Sequence, residues 1–105
     1  MQNIFSGFQA TPTHEAVEEL LRSPHVRIER IVSNGQASPE GFWYNQDESE
    51  WVAVLEGRAA IGFENGEAVE LSAGDAITIP AHTRHRVLWT HSEQRTVWLA
   101  VFYHS

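Results

Sequence analysis

From Val26 onward, apolar and polar residues alternate with a period of two, in short runs broken by glycine-bearing turns. Successive side chains leave a strand on opposite faces, so this period is the mark of β-structure. It predicts strands over residues 26–33, 42–46, 50–56, 58–63, 68–71, 76–79, 85–90 and 95–103. Turn signals separate them at Asn34-Gly35, Glu56-Gly57, Asn65-Gly66 and Ala73-Gly74-Asp75. Asn65-Gly66 is the strongest, because a two-residue hairpin with positive φ at both central positions prefers that dipeptide. Short strands at a spacing of roughly 8–12 residues point to a sandwich or a barrel.

Two of these runs are apolar on both faces. Val52 and Val54 share a face with Glu50, while Trp51, Ala53 and Leu55 occupy the other. Near the end of the chain, Val97, Leu99, Val101 and Tyr103 oppose Trp98, Ala100 and Phe102. Such strands have both faces covered. One face would line a barrel and the other would pack on a second sheet or a partner. Four tryptophans in 105 residues exceed what a minimal core needs, and a homodimer is the simplest use for the excess.

Residues 1–25 read differently. After a mildly apolar start (Ile4, Phe5, Phe8) and Thr11-Pro12, Thr13 has the character of an N-cap for a short helix over residues 14–22. Glu15, Glu18 and Glu19 fall toward its N-terminal half, where the helix dipole favours negative charge. Val17, Leu20 and Leu21 stand three and four apart, giving one apolar stripe, and Ser23-Pro24 ends the run. The expected organisation is therefore an N-terminal extension with a short helix over 1–25 and a barrel over 26–105, together one domain.

Composition narrows the chemistry. A formal charge of −7 argues against nucleic acid, which is held by clusters of basic residues. All seven basic residues are arginine, so lysine Schiff-base chemistry is excluded and planar guanidinium forks are the strong cations available. The absence of cysteine removes disulfides, thiolate ligands and thiol nucleophiles. No apolar run approaches the roughly 20 residues of a membrane span. Residues 1–20 lack a signal-peptide pattern, and the expectation is a cytoplasmic protein without a membrane partner.

The segment from Gly74 to His85 carries the most specific chemistry. A glycine turn leads into the β-branched run Ile77-Thr78-Ile79, Pro80 stops the ladder, and His82 and His85 follow three apart. A strand entered in this way can aim imidazoles from a barrel rim into its interior, and imidazole is the commonest protein ligand for transition metals. His14, His25, His91 and His104 fall at turn, helix or terminal positions and read as solvated. Arg86 reads as a surface ion-pair former, and Arg84, at the rim, as a contact for an anionic ligand.

These residues resemble the cupins, small β-barrels (double-stranded β-helices, or jelly rolls) built around two motifs. In the second motif, glycine, proline, glycine, histidine and asparagine align in register with Gly74, Pro80, His82, His85 and Trp89. In the first, the glutamate and closing glycine match Glu50 and Gly57, while Gln46 and Tyr44 stand at the two histidines and Ser38 at the leading glycine. The 16 residues between Gly57 and Gly74 suit the inter-motif hairpin of the smallest cupins. The resemblance spans roughly residues 26–102 and extends to small bacterial single-domain members of unassigned function.

The resemblance implies an all-β cupin barrel with Gln46, Glu50 and His85 pointing into its mouth and His82 as a further metal ligand. That donor set suits a divalent transition metal such as Zn, Ni, Mn or Fe. The same side chains could instead hydrogen-bond one another without an ion. Tyr44 and Trp89, in place of polar motif residues, would give a ligand pocket aromatic walls. Three functions stay open: a metal-binding cupin that holds a small organic ligand and is an enzyme of unknown reaction or a binder, a metal-free small-molecule sensor, or a structural dimerisation module.

Overall fold

The computed structural model describes residues 1–7, 10–11 and 14–104. Among them are eight strands and no helix: β1 (Ala16–Ser23), β2 (Val26–Ser33), β3 (Ser49–Glu56), β4 (Arg58–Phe63), β5 (Ala68–Ser72), β6 (Ala76–Ile79), β7 (His85–Thr90) and β8 (Thr96–Tyr103). They form a five-stranded sheet in the order β1-β2-β8-β3-β6 and a three-stranded sheet in the order β5-β4-β7. All pairings are antiparallel. The two sheets enclose a core of Val52, Val54, Ala59, Ile61, Leu71, Ile79, Trp98, Ala100 and Phe102.

The helix expected over residues 14–22 is not formed. Residues 16–23 make strand β1, which pairs with β2 across the turn at Pro24-His25. The glutamates and leucines there are good helix formers, but such propensities amount to less than about 1 kcal/mol per residue. An unpaired β2 edge lies within hairpin reach, and pairing outweighs that local preference. A register irregularity between Glu19 and Leu21 absorbs the mismatch between the three-and-four spacing and a strand's period of two. Thr13, expected to cap the helix, lies outside the described residues, as do Phe8 and Pro12.

Alternation sorts the five-stranded sheet into two faces as expected. Glu50, Val52 and Val54 on β3, and Trp98, Ala100 and Phe102 on β8, point inward. On the outer face, Val32, Ala53 and Val97 are also buried. Part of their cover is the N-terminal segment. Arg30, only 5% exposed, donates from one guanidinium nitrogen to the carbonyls of Asn3, Ile4 and Ser6 at 3.1–3.2 Å and from the other to Glu18 at 2.8 Å. Arg95 adds a bond to the Phe5 carbonyl at 2.9 Å.

Two connections differ from their sequence reading. The β4–β5 hairpin has a three-residue loop in which Gly66 alone has positive φ. Gly66 N–H donates to the Phe63 carbonyl and Phe63 N–H to that of Glu67, both at 2.9 Å. This is a turn closed by a glycine bulge rather than a two-residue loop. The strand expected over 42–46 is reduced to a single bridge between Tyr44 and His85. The segment instead runs along the free edge of β7 and bonds to it at intervals, from Ser38 to Val87 and from Tyr44 to His85. That irregular edging brings residues 44–46 to the barrel mouth.

Candidate ligand and metal site in the barrel mouth

The inward faces of β2, β3, β7 and β8, with the edging segment, leave a cavity of about 300 Å³ open at one end. Its inner walls are apolar (Ile31, Val52, Ile61, Ile79, Val87, Trp98 and Phe102), and its polar lining consists of Glu15, Arg27, Glu29, Tyr44, Gln46, Glu50 and His85. Apolar walls with a few convergent polar groups are the usual form of a small-molecule site.

Glu50 and His85 form its centre, and both are buried. Glu50 pairs with Ile79 on β6 and Phe102 on β8. His85, the first residue of β7, pairs with Phe63 on β4 and with Tyr44. The Nδ1 of His85 lies 2.8 Å from the Thr83 carbonyl. A carbonyl can only accept, so Nδ1 carries the proton and Nε2 faces Glu50 Oε1 at 3.4 Å. Gln46 donates its amide to the same oxygen at 3.1 Å. The Tyr44 ring stacks on His85 with centroids 5.4 Å apart.

Electrostatics at this centre favour a proton or a cation between Glu50 and His85. Burial opposes charge on the imidazole, but the hydrogen bond to Glu50, the Thr83 carbonyl and the Glu50 charge outweigh it and raise the His85 pKa. Burial, followed by the charges of Glu15 and Glu50, raises that of Tyr44, whose phenol therefore stays a donor at neutral pH.

The His85 shift fixes the sign of a pH effect in metal-free protein. A group whose pKa rises on folding contributes stability that is complete below its unfolded pKa, about 6.5 for histidine, and is lost as pH rises through the folded value. After chelation, the excess melting temperature of the wild type over a His85→Asn variant should be larger at pH 6 than at pH 8.5. An excess that grows with pH would contradict the geometry.

Among the described residues no three His, Cys, Asp or Glu side chains converge as a metal-ligand set. The donors that do converge still fit an ion. Two ligand atoms about 2.1 Å from a tetrahedral ion lie about 3.4 Å apart, which matches the separation of Nε2 and Oε1. Nε2 is freed for this by the bond that Nδ1 makes to a carbonyl, as is usual for a ligating histidine. A half-turn of the Gln46 amide would offer its oxygen as a third donor.

The remaining expected residues lie elsewhere. His82 is exposed at the turn before β7, with φ of 63°, and its N–H donates to the Gln46 carbonyl at 2.7 Å. It holds the edging segment through its backbone, and its side chain does not line the cavity. Arg84 is exposed and paired with Glu64 at 2.9 Å, beside His82 in a second, open depression. Trp89 packs outside the three-stranded sheet, where the Arg58 guanidinium sits 5.7 Å from its ring centre. By simple alternation it would share the inward face of His85 and Val87. A bulge between their partners Ile61 and Ala60 shifts the parity and turns it out.

Sequence reasoning missed Glu15, Arg27 and Glu29. Arg27 donates to Glu29 at 3.0 Å and to Glu48 at 2.8 Å, with its guanidinium 4.1 Å above the Phe102 ring. The alternation of Arg27, Glu29 and Ile31 was the available signal. It was masked because Arg30 places an equally charged residue on the opposite face.

A family model described as "Cupin domain" matches residues 30–102. The chain is 42% identical to a putative mannose-6-phosphate isomerase from Ralstonia eutropha JMP134, with a TM-score of 0.94, over 100% of this chain and 98% of that one. A cupin superfamily protein from Desulfitobacterium hafniense DCB-2 shares the fold at a TM-score of 0.76 and 20% identity, over 91% and 83% of the two chains. An RmlC-like cupin from Desulfovibrio desulfuricans does so at 0.76 and 16%, over 97% and 94%. No curated protein matches the chain. With its two-sheet barrel and a family match across most of its length, this chain belongs to the cupin family.

Proposed function

We propose that this protein binds a divalent transition metal through His85 and Glu50, with Gln46 as a third donor, and holds a small organic ligand in the barrel mouth beside it. The observation that carries the reading is the pair of donor atoms His85 Nε2 and Glu50 Oε1, 3.4 Å apart on two buried residues that line the cavity. An ion held there would act as a Lewis acid on a ligand oxygen at its open positions. The chain's own groups supply orientation: Tyr44 offers a phenolic proton, the apolar walls exclude water, and Arg27 is fixed at the mouth by Glu29 and Glu48. Isomerase chemistry, suggested by the Ralstonia eutropha relative, is compatible with such a site.

Metal analysis of untagged protein tests the reading. Near-stoichiometric Zn, Ni, Mn or Fe that a chelator removes, with a fall in melting temperature, is the expected result. A metal-free small-molecule binding module is the competing reading, and the Gln46–Glu50 hydrogen bond favours it because it satisfies the carboxylate without an ion. Absence of metal, with no stabilisation by any of the four ions, would decide for it.

We further propose that the protein acts as a homodimer through the outer face of the five-stranded sheet. Leu21, Ile28, Val101 and Trp51 pair in one transverse row across β1, β2, β8 and β3, and Leu21 and Trp51 are 51% and 39% exposed. A Trp51→Glu variant is expected to run as a monomer by light scattering where the wild type runs as a dimer. A wild type that is monomeric at high concentration would refute this.

A further inference from the structure

We infer that the cavity selects ligands bearing a cationic nitrogen on an apolar body, and that Glu15 sets this preference; the inference rests on the reading that the cavity holds a small organic molecule. Three carboxylates line the cavity, against one guanidinium and one imidazole. Most of these charges are already matched. Arg27 is shared between Glu29 and Glu48, and His85 faces Glu50. Glu15 differs: its partner is the neutral Ser33 hydroxyl.

Glu15, exposed at the cavity rim, is nonetheless anchored at one oxygen. The Trp98 indole N–H donates to Ser33 Oγ at 3.1 Å, and that hydroxyl donates its single proton to Glu15 Oε2 at 2.8 Å. Ser33 and Trp98 are both buried. The position of this carboxylate is thus set from inside the barrel, through a chain that spends its hydrogen bonds in one direction. Its other oxygen is left to receive a donor at the cavity mouth. Ile31, Val52, Ile61, Trp98 and Phe102 below it offer an apolar seat.

Phosphate esters meet the opposite situation. One would bring roughly two negative charges to a mouth where Arg27, the one guanidinium lining it among the described residues, is already held by two carboxylates. Without an ion at His85 and Glu50, the substrate class named for the Ralstonia eutropha relative, a sugar phosphate, is the kind of ligand this charge arrangement disfavours.

Three probes that share one apolar body separate the alternatives: benzylamine, benzyl alcohol and benzyl phosphate, titrated against the full-length protein after chelation, so that none of them binds through an ion at His85 and Glu50, with the indole N–H resonance of Trp98 as the reporter. Benzylamine should bind about tenfold more tightly than benzyl alcohol, the scale of one solvent-screened charge contact, and benzyl phosphate should not bind. In a Glu15→Gln variant, whose folding is checked by its melting temperature, the amine-to-alcohol ratio should fall to near one. A ratio unchanged in that variant, or benzyl phosphate binding as tightly as benzylamine, would overturn the inference while leaving the cavity a ligand site. Failure of all three probes to bind would count against the organic-ligand reading as well.

Discussion

A His85→Ala variant should lose metal affinity by more than about 100-fold, because even residues that only orient a metal ligand are worth about 10–100-fold. Among the described residues, the imidazole is the only nitrogen ligand at the site. Its Nδ1 is committed to the Thr83 carbonyl, and its Nε2 faces Glu50. The opposite change is equally informative. Gln46 sits beside Glu50, with its amide 3.1 Å from the carboxylate, so Gln46→His would place a second imidazole on the same oxygen. That variant should bind Zn or Ni more tightly than the wild type. Metal content unchanged in His85→Ala, measured on untagged protein, would place the ion elsewhere and remove the proposed centre. An increase in Gln46→His without a decrease in His85→Ala would have the same consequence.

A Gly57→Ala variant should be destabilised by about 3 kcal/mol, or roughly 12–24 °C in melting temperature for a domain of this size. Gly57 joins β3 to β4 with φ of 87°. A side chain in that left-handed conformation costs about 1–2 kcal/mol by itself. Here a Cβ would also stand 2.6 Å from the Arg95 carbonyl oxygen and 2.8 Å from the Thr96 Cα, backbone atoms that cannot swing aside. Gly74 provides the control. It has a φ of 95°, but a Cβ added there would meet nothing within 4 Å, so Gly74→Ala should show the conformational cost alone. Equal melting temperatures for the two variants would mean that the close approach of β3–β4 to β8 is relieved without cost.

The parts of the molecule behind these two results differ in how plainly residue order announces them. Gly57 and Glu50 were marked by motif spacing, and the two-sided apolar strands around them by alternation. His85 and Gln46 followed from the same spacing, and they do converge. His82, Arg84 and Trp89 lie just as close to the motif in sequence but fall outside the cavity. A positive φ at His82, where the motif has glycine, and one extra residue in β7 decide which way the side chains of His82 and Trp89 leave the backbone, and only the first had a signal in the motif. The N-terminal strand was hidden for a related reason. Residues 14–22 have helical spacing and helix-forming residues, and only an unpaired edge at β2 makes an extended conformation the better state.

Period-two alternation and glycine placement act over a few residues. They were therefore enough to read most of the strands from Val26 onward and most of the turns between them, whereas the pairing of Glu50 with His85 came from the resemblance to the cupin motifs. That Glu15, Arg27 and Glu29 share the cavity with this pair emerged from the folded barrel, the alternation of Arg27 and Glu29 having been masked by Arg30. Their meeting depends on antiparallel pairing between segments far apart in the chain, and on a hydrogen-bond chain from Trp98 through Ser33 to Glu15 that crosses 65 and then 18 positions of sequence. Contacts of that range are set by how the sheet closes, which no local pattern encodes.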